Sequence, residues 1–230
     1  MIGMPWSSKQ SIKVVSGRQT DEVADDVFAA EIARYSRIIV DLGTGDGRYA
    51  LRAARAHPDT LVVGIDPVAA AMSDSASRAK RKPARGGVAN ARFVVASLEQ
   101  LPAVLEGVAA EVSVNFPWGS LLLAVGWPHM DGLHRLVELV KPGGRVLTLL
   151  NASAAEKLEH AARLELPPLE DPDHVTRSLV PGWQQAGLTD VSWNYLAPDE
   201  EPATRTTWGR RLVRGSGRTT LYVEGRRPPS

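Results

Sequence analysis

Three glycines stand at alternate positions in the segment DLGTGDGRYA: Gly43, Gly45 and Gly47. Glycine lets a chain turn tightly and lets a ligand come close to the backbone. The spacing G-x-G-x-G is one residue shorter than the dinucleotide fingerprint G-x-G-x-x-G. Asp41 lies just ahead of the turn. A carboxylate there suits the cationic end of an amino acid and would repel a pyrophosphate. A second acid, Asp66, ends the apolar run LVVGID. At that edge of an α/β sheet an acid can accept hydrogen bonds from both hydroxyls of a ribose. The run ARFVVA leads into ASLEQLP, the expected pocket for an adenine, with the backbone at Ala96 and the Glu99 side chain as contacts. Asp41 could instead cap the loop, and Glu99 could be a solvated turn residue.

A different chemistry is suggested by NFPWGSLL, residues 115–122. It half-matches the N/D-P-P-aromatic signature of enzymes that methylate base amino groups in DNA and RNA. Asn115, Pro117 and Trp118 fit, while Phe116 replaces the first proline. Asn115 is also a candidate cofactor contact. An aromatic ring at Trp118 could stack on a flipped base, or it could pack in the core. Trp208 offers a second ring, in TTWGRRL, flanked by Arg205, Arg210 and Arg211. Aromatic and arginine side chains together suit base stacking beside phosphate contacts. Trp208 could also pack at a strand edge. Trp6, Trp127, Trp183 and Trp193 are expected to serve packing.

The net charge of +1 hides an uneven distribution. Residues 75–98 hold Arg78, Lys80, Arg81, Lys82, Arg85 and Arg92 and no acid, and residues 204–227 hold seven arginines against Glu224 alone. Two basic islands on a nearly neutral chain suggest a polyanion touching one face. Each island alone could be a solvated surface. The absence of cysteine excludes disulfides, cysteine nucleophiles and thiolate metal sites. The five histidines form no close ligand pair, so no metal is expected. No apolar run reaches the ~18 residues of a membrane span, and residues 1–11 lack the apolar core of a signal peptide. A cytoplasmic location is therefore expected.

The chain must position these groups, and from residue 37 onward apolar strand-like runs alternate with helical patterns. IIVDL, LVVGID, ARFVVA, EVSVNF and RVLTLL read as strands. Residues 48–57, 69–80, 130–140 and 154–164 read as helices, the third stopped by KPGG, and a further helix should end near Gly187. Such alternation predicts an α/β fold with a doubly wound, mostly parallel sheet. LTDVSWNYL and TTLYVEG supply two late strands with no crossover helix, so an antiparallel pair is expected, joined by a long loop over residues 197–218. That makes a seven-stranded sheet in a single domain over residues 1–230. The first 30 residues form an extension in which SIKVVSGRQT could be a β-hairpin.

The glycine loop, Asp66, the acidic turn after the third strand and KPGG form a spaced series. Over residues 37–150 it resembles the class I S-adenosylmethionine (SAM)-dependent methyltransferases, a Rossmann-like fold. A closer resemblance covers nearly the whole chain. NFPWGSLL, a tryptophan-bearing loop before a final TTLYVEGR strand, and a short N-terminal extension look like the aminoglycoside-resistance 16S rRNA adenine-N1 methyltransferases, the kanamycin–apramycin resistance family. The resemblance implies methylation of adenine 1408 in the 30S subunit, with SAM as cofactor and S-adenosylhomocysteine as product. It implies that Trp118 and Trp208 sandwich the flipped adenine while a carbonyl near Pro117 receives its amine. It places the cofactor acids at Asp41, Asp66 and Glu99. It places the ribosome-docking cations at Lys80, Arg81, Lys82, Arg85, Arg211 and Arg218, with Arg205 and Arg210 beside them. No protein partner and a monomer are expected. The alternatives are a tRNA methyltransferase acting on guanine N7 or a base amine, and a small-molecule methyltransferase, which would need no basic islands.

Overall fold

The computed structural model describes residues 11–128, 130–153, 166–197 and 219–230. Trp6, the expected helix at 154–164, and Arg205, Trp208, Arg210, Arg211 and Arg218 lie outside the described residues. The chain divides into two compact units. One comprises Met1–Ser113 and Glu138–Lys141, the other Val114–Val137 and Pro142–Ser230.

The first unit begins with a β-hairpin, β1 (Ser11–Ser16) and β2 (Gln19–Ala24), turned at Gly17 with φ of 72°. Helix α1 (Asp25–Ile32) follows, with Asp25 and Asp26 in its first turn, where the helix dipole favours acids. Strands β3 (Arg37–Leu42), β4 (Thr60–Asp66) and β5 (Ala91–Val95) then alternate with α2 (Arg48–Ala56) and α3 (Ala69–Ala79). β4 is parallel to both β3 and β5. These strands read as continuous apolar runs because both of their faces are covered. The order in this unit is β2-β1-β5-β4-β3, with β6 (Ala109–Asn115) beyond β3. The hairpin is part of the sheet, since Val14 on β1 pairs with Val94 on β5. α2 and α3 present alanines to the strands. Ala50, Ala54, Ala76 and Ala79 pack with Val62, Met72 and Phe93 in one core cluster.

The second unit takes up the end of β6 and continues with α4 (Gly119–Gly126), α5 (Met130–Leu139) and β7 (Val140–Asn151). A helical stretch follows over residues 172–185, with a π-turn at Val175–Leu179 inside it. β8 (Thr189–Leu196) and β9 (Thr220–Arg226) complete the unit. The order is β6-β7-β9-β8, and β9 is antiparallel to both neighbours. The expected antiparallel late strands are therefore present.

KPGG behaves differently from a helix terminator standing outside the sheet. α5 ends at Leu139, and the motif falls within the first residues of β7. Gly143 adopts a φ of 75° and donates its N–H to the Arg227 carbonyl at 3.0 Å. The glycine bend is thus absorbed into strand pairing.

Candidate functional site

In the first unit the glycine loop leaves β3 and enters α2. Gly43, Gly45 and Gly47 all have positive φ, at 73°, 56° and 68°, a region costly for other residues. The loop is tied to the end of β4. The amides of Gly43 and Thr44 both donate to the Ile65 carbonyl, at 2.8 and 2.9 Å. A Cβ at Gly47 would meet the Phe93 ring at 2.5 Å, so this glycine is required by packing as well as by backbone angle. A Cβ at Gly45 would meet nothing within 4 Å, so the backbone there faces open space. Gly64 on β4 is tightly packed too, since a Cβ would sit 3.0 Å from the Thr44 side chain. Nothing in the spacing of the sequence singles it out.

The two acids occupy different environments. Asp41 is 1% exposed. Its carboxylate accepts from Thr44 Oγ1 at 2.5 Å and from Ser113 Oγ at 3.3 Å, which ties it to the loop it precedes. Asp66 is half-buried at the end of β4. One carboxylate oxygen accepts the Gly45 N–H and the other the Val68 N–H, both at 2.9 Å. A carboxylate has about four lone-pair sites, so each oxygen keeps acceptor capacity for a ligand hydroxyl. Val68, two residues on, is 56% exposed and adds an apolar surface beside it. Ala96 is half-buried, and its N–H goes to the Asp66 carbonyl at 3.3 Å. Glu99 is exposed in a short 3-10 turn, Leu98–Gln100. An open glycine backbone beside a half-buried carboxylate suits a ligand that carries a ribose.

The basic stretch after α3 is exposed at Lys80, Arg81, Lys82 and Arg85. Lys80 Nζ bonds Ser16 Oγ on the hairpin, and Arg55 donates to the Gly86 carbonyl at 2.7 Å. Arg92, from the same basic run, is neutralised by an ion pair with Glu31.

In the second unit, Asn115 is half-buried at the end of β6, and the chain then bends sharply. Phe116 has a φ of 50°, rare for a residue with a side chain. Its N–H donates to the Leu149 carbonyl at 2.7 Å, and its ring packs with Leu147, Leu149 and Leu196. Proline is locked near −65° and has no N–H to give. Residue 116 therefore cannot be the first proline of an N/D-P-P-aromatic motif in this backbone. Pro117 is buried behind the bend. Trp118 follows as the N-cap of α4 and is 46% exposed, which fits a presented ring and not a core residue.

The helix behind Trp118 is anchored at its far end. Trp183 Nε1 donates to the Val125 carbonyl at 3.1 Å, and His174 Nε2 lies 3.1 Å from the Gly126 carbonyl. These contacts satisfy the carbonyls that every helix end leaves without partners. Trp127 donates to the Pro167 carbonyl at 2.8 Å and stacks on His174. Trp127 and Trp183 thus do serve packing. Tyr195 Oη donates to the Leu169 carbonyl at 2.9 Å. Burial, then the Asp171 and Glu170 carboxylates, hold its phenol above the usual 10.0, which keeps that donor in place. Asn151, buried at the end of β7, went unnoticed in the sequence. Its Oδ1 accepts from the Ser153 N–H at 3.3 Å, and its Nδ2 has no hydrogen-bond partner among the described residues.

No helix among the described residues is long and apolar enough to cross a membrane, and none of their side chains form a cluster that could hold a metal ion.

A glycine loop after β3, an acid closing β4 and an aromatic bend after β6 define a class I SAM-dependent methyltransferase. Comparison gives the particular family. The model for NpmA: 16S rRNA (adenine(1408)-N(1))-methyltransferase matches residues 13–227, and the chain belongs to that family. It is 34% identical over 203 residues to the 16S rRNA (adenine(1408)-N(1))-methyltransferase of Streptoalloteichus tenebrarius, covering 86% of this chain and 90% of that protein. It is similar to the crystal structure of the antibiotic-resistance methyltransferase Kmr, with a TM-score of 0.80 and 38% identity, covering 95% of this chain and all of that one. It is similar as well to a tryptophan-to-alanine mutant of the 16S rRNA (adenine(1408)-N(1))-methyltransferase from Catenulisporales acidiphilia with cosubstrate SAM. There the TM-score is 0.81 and the identity 36%, covering 94% and 97% of the two chains.

Proposed function

We propose that this protein methylates N1 of adenine 1408 in the 16S rRNA of the 30S subunit, with SAM as donor, and that it thereby confers aminoglycoside resistance. The observation that carries the proposal is Trp118. A strained Phe116 and an anchored α4 hold its ring exposed at the carboxyl end of β6, where open α/β sheets bind their ligands. The family match over residues 13–227 supplies the substrate class.

On this reading Asp66 holds the ribose of SAM, and Gly43, Gly45 and Gly47 let the backbone approach it. Asp41 shapes the loop from beneath. Val68 and the Ala96–Glu99 turn border the adenine of the cofactor, and Asn115 is a further candidate cofactor contact. Bound there, SAM supplies an electrophilic methyl group on a sulfonium. Adenine N1 carries a lone pair at neutral pH, so the chain needs no general base. Its task is to hold the base in line, and orientation of this kind is a large source of rate. Trp118 and Trp208 stack on the flipped adenine and offset its unstacking, at ~1–3 kcal/mol per base. The backbone at Pro117 receives the N6 amine and turns N1 toward the donor. Lys80, Arg81, Lys82 and Arg85 from one segment, and Arg205, Arg210, Arg211 and Arg218 from the other, contact rRNA phosphates. The protein acts as a cytoplasmic monomer, without a metal.

The test is methylation of purified 30S subunits with labelled SAM, followed by mass spectrometry of the nucleosides. 1-Methyladenosine is the expected product. N7-methylguanosine or N6-methyladenosine would support the tRNA-type alternatives, and no transfer to RNA would favour a small-molecule substrate.

A further inference from the structure

Some cations of the first unit are paired with carboxylates and others are not. Arg37, Arg48 and Arg92 each lie within 4 Å of a carboxylate, on Glu111, Asp46 and Glu31. Lys13 stands opposite Glu22 in the register of the hairpin. By contrast, Arg18, Lys80, Arg81, Lys82 and Arg85 are exposed and have no ion pair among the described residues. Four of these five form the run after α3. Arg18 is far away in sequence, at the turn between β1 and β2.

The fold brings the fifth to the other four. The hairpin turn lies against α3, since a Cβ on Gly17 would stand 3.6 Å from Ser77 Oγ. One residue earlier, Ser16 Oγ takes the Lys80 ammonium. Arg18 is therefore carried on a turn fixed at both ends: β1 is paired into the sheet through Val14 and Val94, and the turn rests on α3. Arg55 braces the other end of the run by donating to the Gly86 carbonyl, next to Arg85. Lone exposed arginines are common. An arginine on a braced turn beside a run of four more cations, with no ion pair among the described residues to neutralise it, costs self-repulsion that a polyanion would relieve.

We infer that the β1–β2 hairpin turn is part of the RNA-docking surface, with Arg18 contacting a phosphate of the small-subunit rRNA next to those met by Lys80, Arg81, Lys82 and Arg85. This rests on the rRNA substrate proposed above. It gives the N-terminal hairpin a function, namely to extend a linear basic segment into a two-dimensional face. Such a face matches the spread of phosphates on a folded RNA better than one segment can. Phosphate contacts of this kind set register and orientation and carry no base information.

Binding of the full-length protein to purified 30S subunits, measured from 50 to 300 mM salt, tests the inference. Each lost phosphate contact lowers the slope of log K against log salt by about one. Arg18→Ala should lower the slope by about one and weaken binding several-fold at 100 mM salt, Arg18→Glu should weaken it further, and Arg18→Lys should bind close to wild type. SAM affinity and the thermal midpoint should be unchanged in all three, since Arg18 is exposed. If Arg18→Glu keeps the wild-type slope while a Lys80, Arg81 and Lys82 triple-alanine variant loses slope, the hairpin lies outside the interface and only this inference falls. Loss of binding to anionic lipid vesicles, with 30S binding intact, would overturn it in favour of a membrane contact. If wild-type protein itself shows no salt-dependent 30S binding, both the rRNA reading and this inference are overturned.

Discussion

Asp66 connects the loop to the ligand it would hold. Its two oxygens already fix the amides of Gly45 and Val68, so the carboxylate orders the loop before any ligand arrives. Asp66→Ala should cost SAM affinity through the lost ribose bonds and through a looser loop. Charge-assisted bonds are worth ~1.5–3 kcal/mol each, so a loss of at least tenfold is expected. Calorimetry giving an unchanged affinity would remove Asp66 from the site. Gly47 makes a prediction of another kind. An alanine there would occupy a left-handed conformation costing ~1–2 kcal/mol, and its Cβ would strike Phe93. Gly47→Ala should lower the thermal midpoint by several degrees, whereas Gly45→Ala, with open space around it, should lower it less. Trp118 is the reverse case. Being half exposed, it can be removed without unfolding the chain. Trp118→Ala should leave the melt and SAM binding near wild type while methylation falls about tenfold or more, given ~1–3 kcal/mol of stacking. Trp118→Phe should retain more activity than alanine. A melt that collapses in Trp118→Ala would show that the ring is a packing residue.

The elements that were easy to read from the sequence were those in which one local signal governs. Apolar, β-branched runs gave β3, β4, β5 and β6 within a residue or two, because buried parallel strands need no polar alternation. The glycine loop was legible because three left-handed positions leave almost no other choice of residue. Other features depended on contacts distant in sequence. The hairpin could be foreseen, but its pairing with β5 could not, because nothing local links Val14 to Val94. KPGG looked like a stop signal, and only the arrival of Arg227 turns it into the start of β7. Phe116 looked like an imperfect motif residue. Its positive φ and its bond to Leu149 show that the substitution is built into the bend. Asp41 reads in the sequence as a carboxylate for a ligand or as a cap for the loop, and its bonds to the Thr44 and Ser113 hydroxyls, which tie it to that loop, depend on the fold. The basic segment after α3 makes its prediction at this scale. Replacing Lys80, Arg81 and Lys82 together with alanine should reduce the slope of log K against log salt for 30S binding by about two to three. An unchanged slope would mark that segment as a solvated surface.

At the scale of the whole molecule, the proposed function has a consequence in cells. A methyl group and a positive charge on adenine N1 occupy the edge that kanamycin- and apramycin-type drugs would hydrogen-bond, and repel a polycationic ligand. Expression in a sensitive bacterium should therefore raise resistance to both drugs and leave streptomycin, which binds elsewhere, unaffected. Resistance integrates many steps, including expression and folding. A direct reading comes from the RNA itself. N1 lies on the Watson–Crick edge, so a methyl group there blocks reverse transcriptase. Purified 30S subunits incubated with the protein and SAM, then copied by primer extension, should give a strong stop at adenine 1408 that is absent when SAM is omitted and much reduced with Trp118→Ala. Full read-through at adenine 1408, with folded protein and SAM present, would contradict the assignment.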